Sequence, residues 1–441
     1  MKRLFAAVAL ALLAAFSALP LRAAVDVQAV TSPGGIKAWL VEEHSIPFTA
    51  LEIRFRGGAA LDAPGKRGAI NLMMATLEEG AGALDARAFA KARDSLAASF
   101  RFRVSNDAAS VSARFLTENR DQAIALLKSA LMEPRFDQDA IERVRAQVLA
   151  VLRSDATDPS AVARKTFDRL AWGKHPYGSA SDGTIESVSS LTRDDIVDAY
   201  GRVFARDQLY VAAVGDISAE QLGALLDKLL GDMPEKHKAQ VGRAEYQLKP
   251  GVTVVDFDTP QAVALFGHKG IRRDDPDYIP AYILNEIFGS GGFESRLMQE
   301  VREKRGLTYG VSTFLLPMDH GELIMGQVRS DNSKMAEALD VIRAEWRKIA
   351  ENGVSAQELE DAKTYLTGAY PLRFDGNAPI ARILVGMQMI GLPIDYIRTR
   401  NDQVRAVTLA DINRVAHRIF QPDKLRFVVV GHPDGVKSTD D

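Results

Sequence analysis

The chain has 441 residues, with 55 Lys and Arg against 58 Asp and Glu, and no cysteine. That length allows two or three domains with substantial cores, and the lack of cysteine excludes both disulfides and a lipid-modified N-terminal cysteine. A formal charge of −3 argues against nucleic acid as a partner, because phosphate binding needs a basic surplus.

Met1 to Ala24 reads as an export signal. Lys2 and Arg3 form the basic start, Leu4 to Leu19 the apolar stretch, and Leu21-Arg22-Ala23 a small-residue cleavage site. The apolar run is short and is closed by Pro20 and Arg22, which favours cleavage over a membrane anchor. Removing residues 1–23 takes away three cations and no acid, so the charge moves from −3 to −6. No later stretch approaches the roughly 20 apolar residues a membrane helix needs. The expected location is the bacterial periplasm, with no membrane contact after cleavage.

Lys37 to Glu42 and Ala50 to Arg56 read as strands, and Gly57 to Gly68 as a loop containing Gly and Pro. Helices are expected over Ala69 to Glu79 and Ala88 to Ala98. A hairpin follows, Phe100 to Val104 and Ala109 to Phe115, turning through Asn106 and Asp107. Strands in runs with helices between them favour an α+β fold, an antiparallel sheet covered by helices, over a doubly wound parallel sheet.

Residues 191–215 can be laid without a gap on residues 407–431, with Thr192/Thr408, Asp195/Asp411, Ile196/Ile412, Arg202/Arg418, Phe204/Phe420, Asp207/Asp423, Leu209/Leu425, Val214/Val430 and Gly215/Gly431 identical. Each copy has one plan: a Thr start, an amphipathic helix ending near Phe, a turn at Asp, and a strand ending in Gly. Upstream, Asp137 to Leu149 loosely resembles Ser355 to Leu366, a pair that two unrelated amphipathic helices would also explain. The reading is two homologous α+β domains, residues 25–235 and 250–436, joined by the polar segment Pro234 to Pro250.

Between the copies, Phe288 to Ser295 (FGSGGFES) lacks the Gly-Lys-Ser/Thr ending of a phosphate-binding loop, and Glu294 stands where a dinucleotide fingerprint needs glycine, so a tight turn is expected. From Ser295 to Leu316 the period switches. Leu297, Met298 and Val301 recur at helical spacing, whereas Leu307, Tyr309, Val311 and Thr313 alternate as in a strand, and Gly306 is the expected C′ residue. Arg302 in the last helical turn and Tyr309 on the strand could converge. As local pattern alone, Arg302 reads as one charge on a solvated face, and Tyr309 as a half-buried strand aromatic.

His44, His175, His237, His268, His320, His417 and His432 never pair within one helical turn, so no local zinc set exists. His175 reads as a loop residue, and His417 lies between Arg414 and Arg418, a poor setting for a cation. No Gly-x-Ser-x-Gly elbow supports a serine nucleophile.

Gly291 to Tyr309, the APGKRGAINLMMATLEEGAG segment, the His175-Pro176-Tyr177-Gly178 loop and the two strand-Gly repeats resemble the pitrilysin or insulinase-type zinc metallopeptidases, which include the mitochondrial processing peptidases. The resemblance covers nearly all of the mature chain. It implies two related domains of the family's metallohydrolase fold. Active members carry His-x-x-Glu-His on the helix after the first glycine-rich loop and a third-ligand glutamate on a later helix. Those positions fall here on Asn71, Met74, Ala75 and Ala150. An amide, a thioether and two methyl groups cannot hold Zn²⁺ or take a proton from water.

The family's arginine and tyrosine of the second domain, which bind the substrate main chain and the developing oxyanion, map onto Arg302 and Tyr309. The resemblance therefore implies a catalytically incomplete subunit. It would bind no cofactor itself and would lend Arg302 and Tyr309, in trans, to a homologous zinc-bearing partner acting on peptides. A non-enzymatic binding or scaffold protein of the same fold is the alternative. A stand-alone peptidase with other ligands is disfavoured by the dispersed histidines.

Overall fold

The computed structural model describes residues 25–237 and 239–439. The expected export signal lies outside the described residues. Two sheets form the frame. The first takes its strands from β1 (Gln28–Thr31), β2 (Lys37–Glu42), β3 (Phe48–Arg56), β6 (Ser99–Val104), β7 (Ala108–Leu116) and β8 (Leu209–Gly215), with a short separate hairpin of β4 (Gly80–Ala81) and β5 (Leu84–Asp85) between them. The second contains β9 (Gly251–Val255), β10 (Gln261–Lys269), β11 (Gly310–Pro317), β12 (Glu322–Asp331) and β13 (Arg426–Val430).

The first sheet runs β1-β2-β8-β3-β7-β6 and the second β9-β13-β10-β12-β11. Omitting β1, the two orders superimpose strand for strand. Each sheet is antiparallel except for one parallel pair, β2 with β8 and β9 with β13. The α+β reading holds, and the hairpin expected around Asn106 and Asp107 is β6–β7.

The duplicated segments repeat in detail. Thr192 and Thr408 each cap a helix, Arg193–Val203 and Leu409–Ile419, in a reciprocal capping box with Asp195 and Asp411. Both helices end on a Phe in extended conformation, and both strands run into a glycine at positive φ, 139° at Gly215 and 145° at Gly431. Glycine is needed at both, since a Cβ at Gly215 would sit against the Phe48 carbonyl and one at Gly431 against Ala262.

Each sheet is covered on one face by helices of its own half and on the other by a helix from the opposite half. On β3, Leu51, Ile53 and Phe55 enter the first core, while Ala50, with Ala212 and Val214 of β8, packs on Ile380, Ala381, Leu384 and Val385 of the helix Asn377–Met389. Conversely, Ala163, Phe167 and Ala171, at i, i+4 and i+8 of the helix Pro159–Trp172, pack on Val263 and Leu265 of β10 and Val428 and Val430 of β13. That helix starts at Asp158, whose carboxylate accepts from Ser160 N–H, with Pro159 in the first turn. Trp172 at its end lies against Gly321, where any Cβ would meet the indole.

A polar latch lies beside this contact. The Tyr177 hydroxyl donates to the Asp107 carboxylate and accepts from the His320 backbone N–H at 3.0 Å, and Arg56 donates to the Met389 carbonyl. Among the described residues, no helix is long and apolar enough to cross a membrane.

His268, 1% exposed on β10, is held neutral by its neighbours. Its Nδ1 donates to the Lys269 carbonyl at 2.8 Å, and its Nε2 accepts from the Trp346 indole and from Gln421 N–H, both at 3.2 Å. Two obligate donors on Nε2 leave no room for a proton, and burial pushes the pKa down to about 4.

Two outcomes are expected. Phe167→Ala should cost about 3–5 kcal/mol and, because its helix closes the opposite sheet, should lower one cooperative transition seen alike by far-ultraviolet circular dichroism and tryptophan fluorescence. Separate transitions would show that the halves unfold independently. For His268, the unfolded chain takes up a proton below pH 6.5 and the folded chain does not until about pH 4. The stabilisation is therefore complete above pH 6.5 and declines toward pH 4, by about 3 kcal/mol. Urea titrations at pH 7 and 4.5 should show this decline, and it should flatten in His268→Gln; an undiminished decline in the variant would refute the assignment.

Candidate functional site

The stretch from Phe288 to Leu316 is built differently from a tight turn and a regular helix. Glu286–Ser290 and Met298–Glu303 are π-helical, with a 3₁₀ turn at Gly292–Glu294 between them. The wider winding is visible in the Lys304 N–H, which bonds the Gln299 carbonyl five residues back at 3.0 Å. Leu297, Met298 and Val301 point into the second core as their spacing implies. Gly306 ends the segment in the left-handed conformation, φ 59°, and its N–H bonds the Arg302 carbonyl at 2.8 Å.

Tyr309 departs from the alternating pattern. Leu307, Val311 and Thr313 are buried, but Tyr309 is 84% exposed. The cause is a bend: β11 begins only at Gly310, and the Thr308 side chain, bonded to the Gly310 N–H at 3.0 Å and within hydrogen-bond reach of the Arg329 carbonyl, pins the turn that swings Tyr309 outward. The half-buried reading of Tyr309 is thus corrected. Arg302 is partly exposed, its guanidinium 4.5 Å from the centre of the Phe293 ring and its Nε 3.6 Å from Glu303.

Arg302 and Tyr309 line one cleft of about 350 Å³, together with Gln261, Glu303, Arg329 and Lys334. Arg329 donates to the Ser160 hydroxyl at 2.8 Å and Lys334 to the Gly306 carbonyl at 3.2 Å, both neutral acceptors. The Tyr309 hydroxyl makes no hydrogen bond among the described residues and is free to donate outward. A fixed guanidinium and an unengaged phenol in one cleft can bind a peptide carbonyl or a developing oxyanion.

The four zinc-motif positions lie on two packed helices, Ala69–Thr76 and Gln138–Asp155. Asn71 is half-buried, Met74 is 1% exposed within the first core, and Ala75 and Ala150 are exposed. The helix pair is present but the donors do not fit a zinc ion. Nearby acids are engaged elsewhere, Glu78 with Arg93 and Glu79 with Arg143. Among the described residues, no three His, Cys, Asp or Glu converge as a metal site.

Sequence reasoning missed Asp62. Its carboxylate accepts from Gly68 N–H and Ile70 N–H, both at 2.8 Å, and pairs with Arg67 at 3.3 Å, capping the helix from six residues upstream. The Asp-x-x-Gly-x-x-Gly spacing from Asp62 is the signal that could have found it. His175 is a loop residue as expected. Its Nδ1 accepts from Tyr177 N–H at 3.2 Å, and Tyr177 itself is the buried member of the latch.

Two sheets of duplicated topology thus carry a packed helix pair on which Asn71, Met74, Ala75 and Ala150 offer no ligand set for zinc. The family model described as the peptidase M16 inactive domain matches residues 190–366. A Helicobacter pylori protein named a non-peptidase homolog is 28% identical over 392 residues, covering 89% of this chain and 90% of that protein. A Streptomyces coelicolor protein named an uncharacterized zinc protease is 24% identical over 411 residues, covering 89% and 87%. The crystal structure of a peptidase M16 inactive domain from Pseudomonas fluorescens superimposes with a TM-score of 0.86 at 29% identity, over 92% of this chain and 98% of that one. The chain is thus similar, over most of its length, to proteins of the M16, or pitrilysin, family that are described as inactive.

Installing His, Glu and His at Asn71, Met74 and Ala75 is expected to leave the protein without stoichiometric zinc and to lower its melting temperature, because the new carboxylate replaces a buried thioether. Adding Ala150→Glu should supply the third ligand and restore tight binding. Elemental analysis and melting curves check this; equal zinc in the threefold variant would contradict it.

Proposed function

We propose that this chain is the zinc-free subunit of a two-chain metallopeptidase of the periplasm, exported by residues 1–23. It pairs with a homologous zinc-bearing chain and offers Arg302 and Tyr309 to peptide bound across the shared chamber. The observation that carries the reading is Tyr309, which is 84% exposed and shares a cleft with Arg302. A bend that turns an aromatic ring out of its strand leaves a large apolar surface in water, and a partner or substrate removes that cost. The partner would hold the zinc, whose Lewis acidity would supply polarisation of the scissile carbonyl. This chain's guanidinium orients the peptide main chain, and its phenol donates to the oxygen on which negative charge develops.

A second reading, a binding or scaffold protein with no part in hydrolysis, is favoured by the replaced zinc positions and by the name of the Helicobacter pylori relative. Two substitutions separate the readings. Tyr309→Phe removes one oxyanion donor and should lower kcat of the two-chain complex by about a hundredfold, with partner binding unchanged. Arg302→Lys keeps the charge but loses the planar fork, so KM should rise as kcat falls. Peptide hydrolysis at wild-type rates in both variants would reject the shared active site and leave the scaffold.

A further inference from the structure

A second cavity, of about 360 Å³, lies where the inner face of the first sheet meets the helices Tyr278–Asn285, Asn377–Met389 and Tyr396–Ala406 of the second half. It shares no residue with the Arg302–Tyr309 cleft. Five arginines line it, Arg54, Arg273, Arg373, Arg382 and Arg400, and among the described residues no Asp or Glu does.

The way these cations are held leaves most of their charge unpaired. Arg273 lies 4.2 Å from the centre of the Tyr278 ring. Arg400, 5% exposed, is stacked 4.6 Å from Tyr370 and donates to the Leu366 carbonyl at 2.7 Å and the Asn401 side chain at 3.0 Å, all neutral partners. Arg54 keeps a buried Nε without a hydrogen-bond partner, in surroundings whose burial presses against its charge. Arg382 and Arg54 share one nearby carboxylate, Glu52, which is 4.0 Å from Arg382, is itself buried and is bonded by the Ser112 hydroxyl, so a single acid stands against the two cations.

The aromatic residues add unengaged hydroxyl donors. Tyr278, Tyr282, Tyr370 and Tyr396 line the cavity, and none of their hydroxyls makes a hydrogen bond among the described residues. Ile279, Ile383, Met387 and Leu392 supply apolar wall between them. Collecting five like charges is unfavourable unless an anion offsets them. Guanidinium forks match carboxylate and phosphate oxygens, and phenols add directional donors.

We propose that this cavity is a binding site for an organic anion, carboxylate or phosphate groups on a partly apolar body, which bridges Arg54 of the first half and the arginines of the second. The inference stands apart from the peptidase reading. The oxyanion could be carried by a free small molecule or by the acidic side chains of a peptide, and the probes distinguish these.

Isothermal titration of the full chain at low salt would use inorganic phosphate, phenyl phosphate, citrate and a glutamate-rich peptide, with a lysine-rich peptide as control. At least one anion is expected to bind at one site per chain with a Kd below about 1 mM, and to raise the melting temperature. Arg273→Gln and Arg373→Gln, neither of which removes a hydrogen bond, should each weaken binding about tenfold and together about a hundredfold. Binding of phenyl phosphate or citrate identifies a free anion; binding of the glutamate-rich peptide alone identifies acidic side chains. No binding by any anion, binding of the lysine-rich peptide as tightly, or binding unchanged in the folded double variant overturns the proposal.

Discussion

The exchange of helices between the halves is the constraint on which the rest of the structure depends. A sheet buried on one face alternates apolar and polar residues, but β10 is apolar on both faces, and Ala50 of β3 with Ala212 and Val214 of β8 puts an apolar patch on the second face of the first sheet, because each sheet is covered twice, once by its own helices and once by the other half's. Removing either exchanged helix would expose the second face of a sheet to water. The halves therefore hold one fixed relation, and that relation sets the walls of the arginine-lined cavity, where Arg54 of β3 meets side chains from beyond residue 270. It also brings Ser160, on the helix Pro159–Trp172, to Arg329 at the rim of the cleft that contains Tyr309.

Much of the frame is legible in the sequence because it rests on local rules. Capping boxes at Thr192 and Thr408, Phe at each helix end and Gly at each strand end are short-range devices, and the structure repeats them at matched backbone angles. The strand Lys37–Glu42 and the β6–β7 hairpin follow from alternation and a turn signal in the same way. What escapes sequence reading is long-range or subtle. Nothing in residues 159–172 says which sheet the Phe167 face will cover. The π-helical winding of Met298–Glu303 leaves the same residues buried as an α-helix would, so periodicity cannot reveal it. The outward turn of Tyr309 depends on a hydroxyl–carbonyl pairing, Thr308 to Arg329, between residues far apart in the chain.

The two ends of the site have diverged. Met74 now fills the first core as an apolar side chain, so the helix Ala69–Thr76 serves packing where active relatives would hold metal. The Arg302–Tyr309 cleft holds an exposed phenol beside a guanidinium, a feature that packing alone does not require. A chain that had become purely structural would be expected to lose both ends together. The exposed Tyr309 beside Arg302 is the feature on which the proposed role beside a zinc-bearing partner rests.

The account is tested most directly by mixing the purified chain with an exported homologue from the same organism that carries His-x-x-Glu-His, and following peptide hydrolysis as the ratio of the two is varied. The account predicts that hydrolysis rises from near zero to a maximum at one chain of each kind, with neither chain active alone. A zinc-bearing chain that cleaves peptide equally well with and without this protein would contradict it.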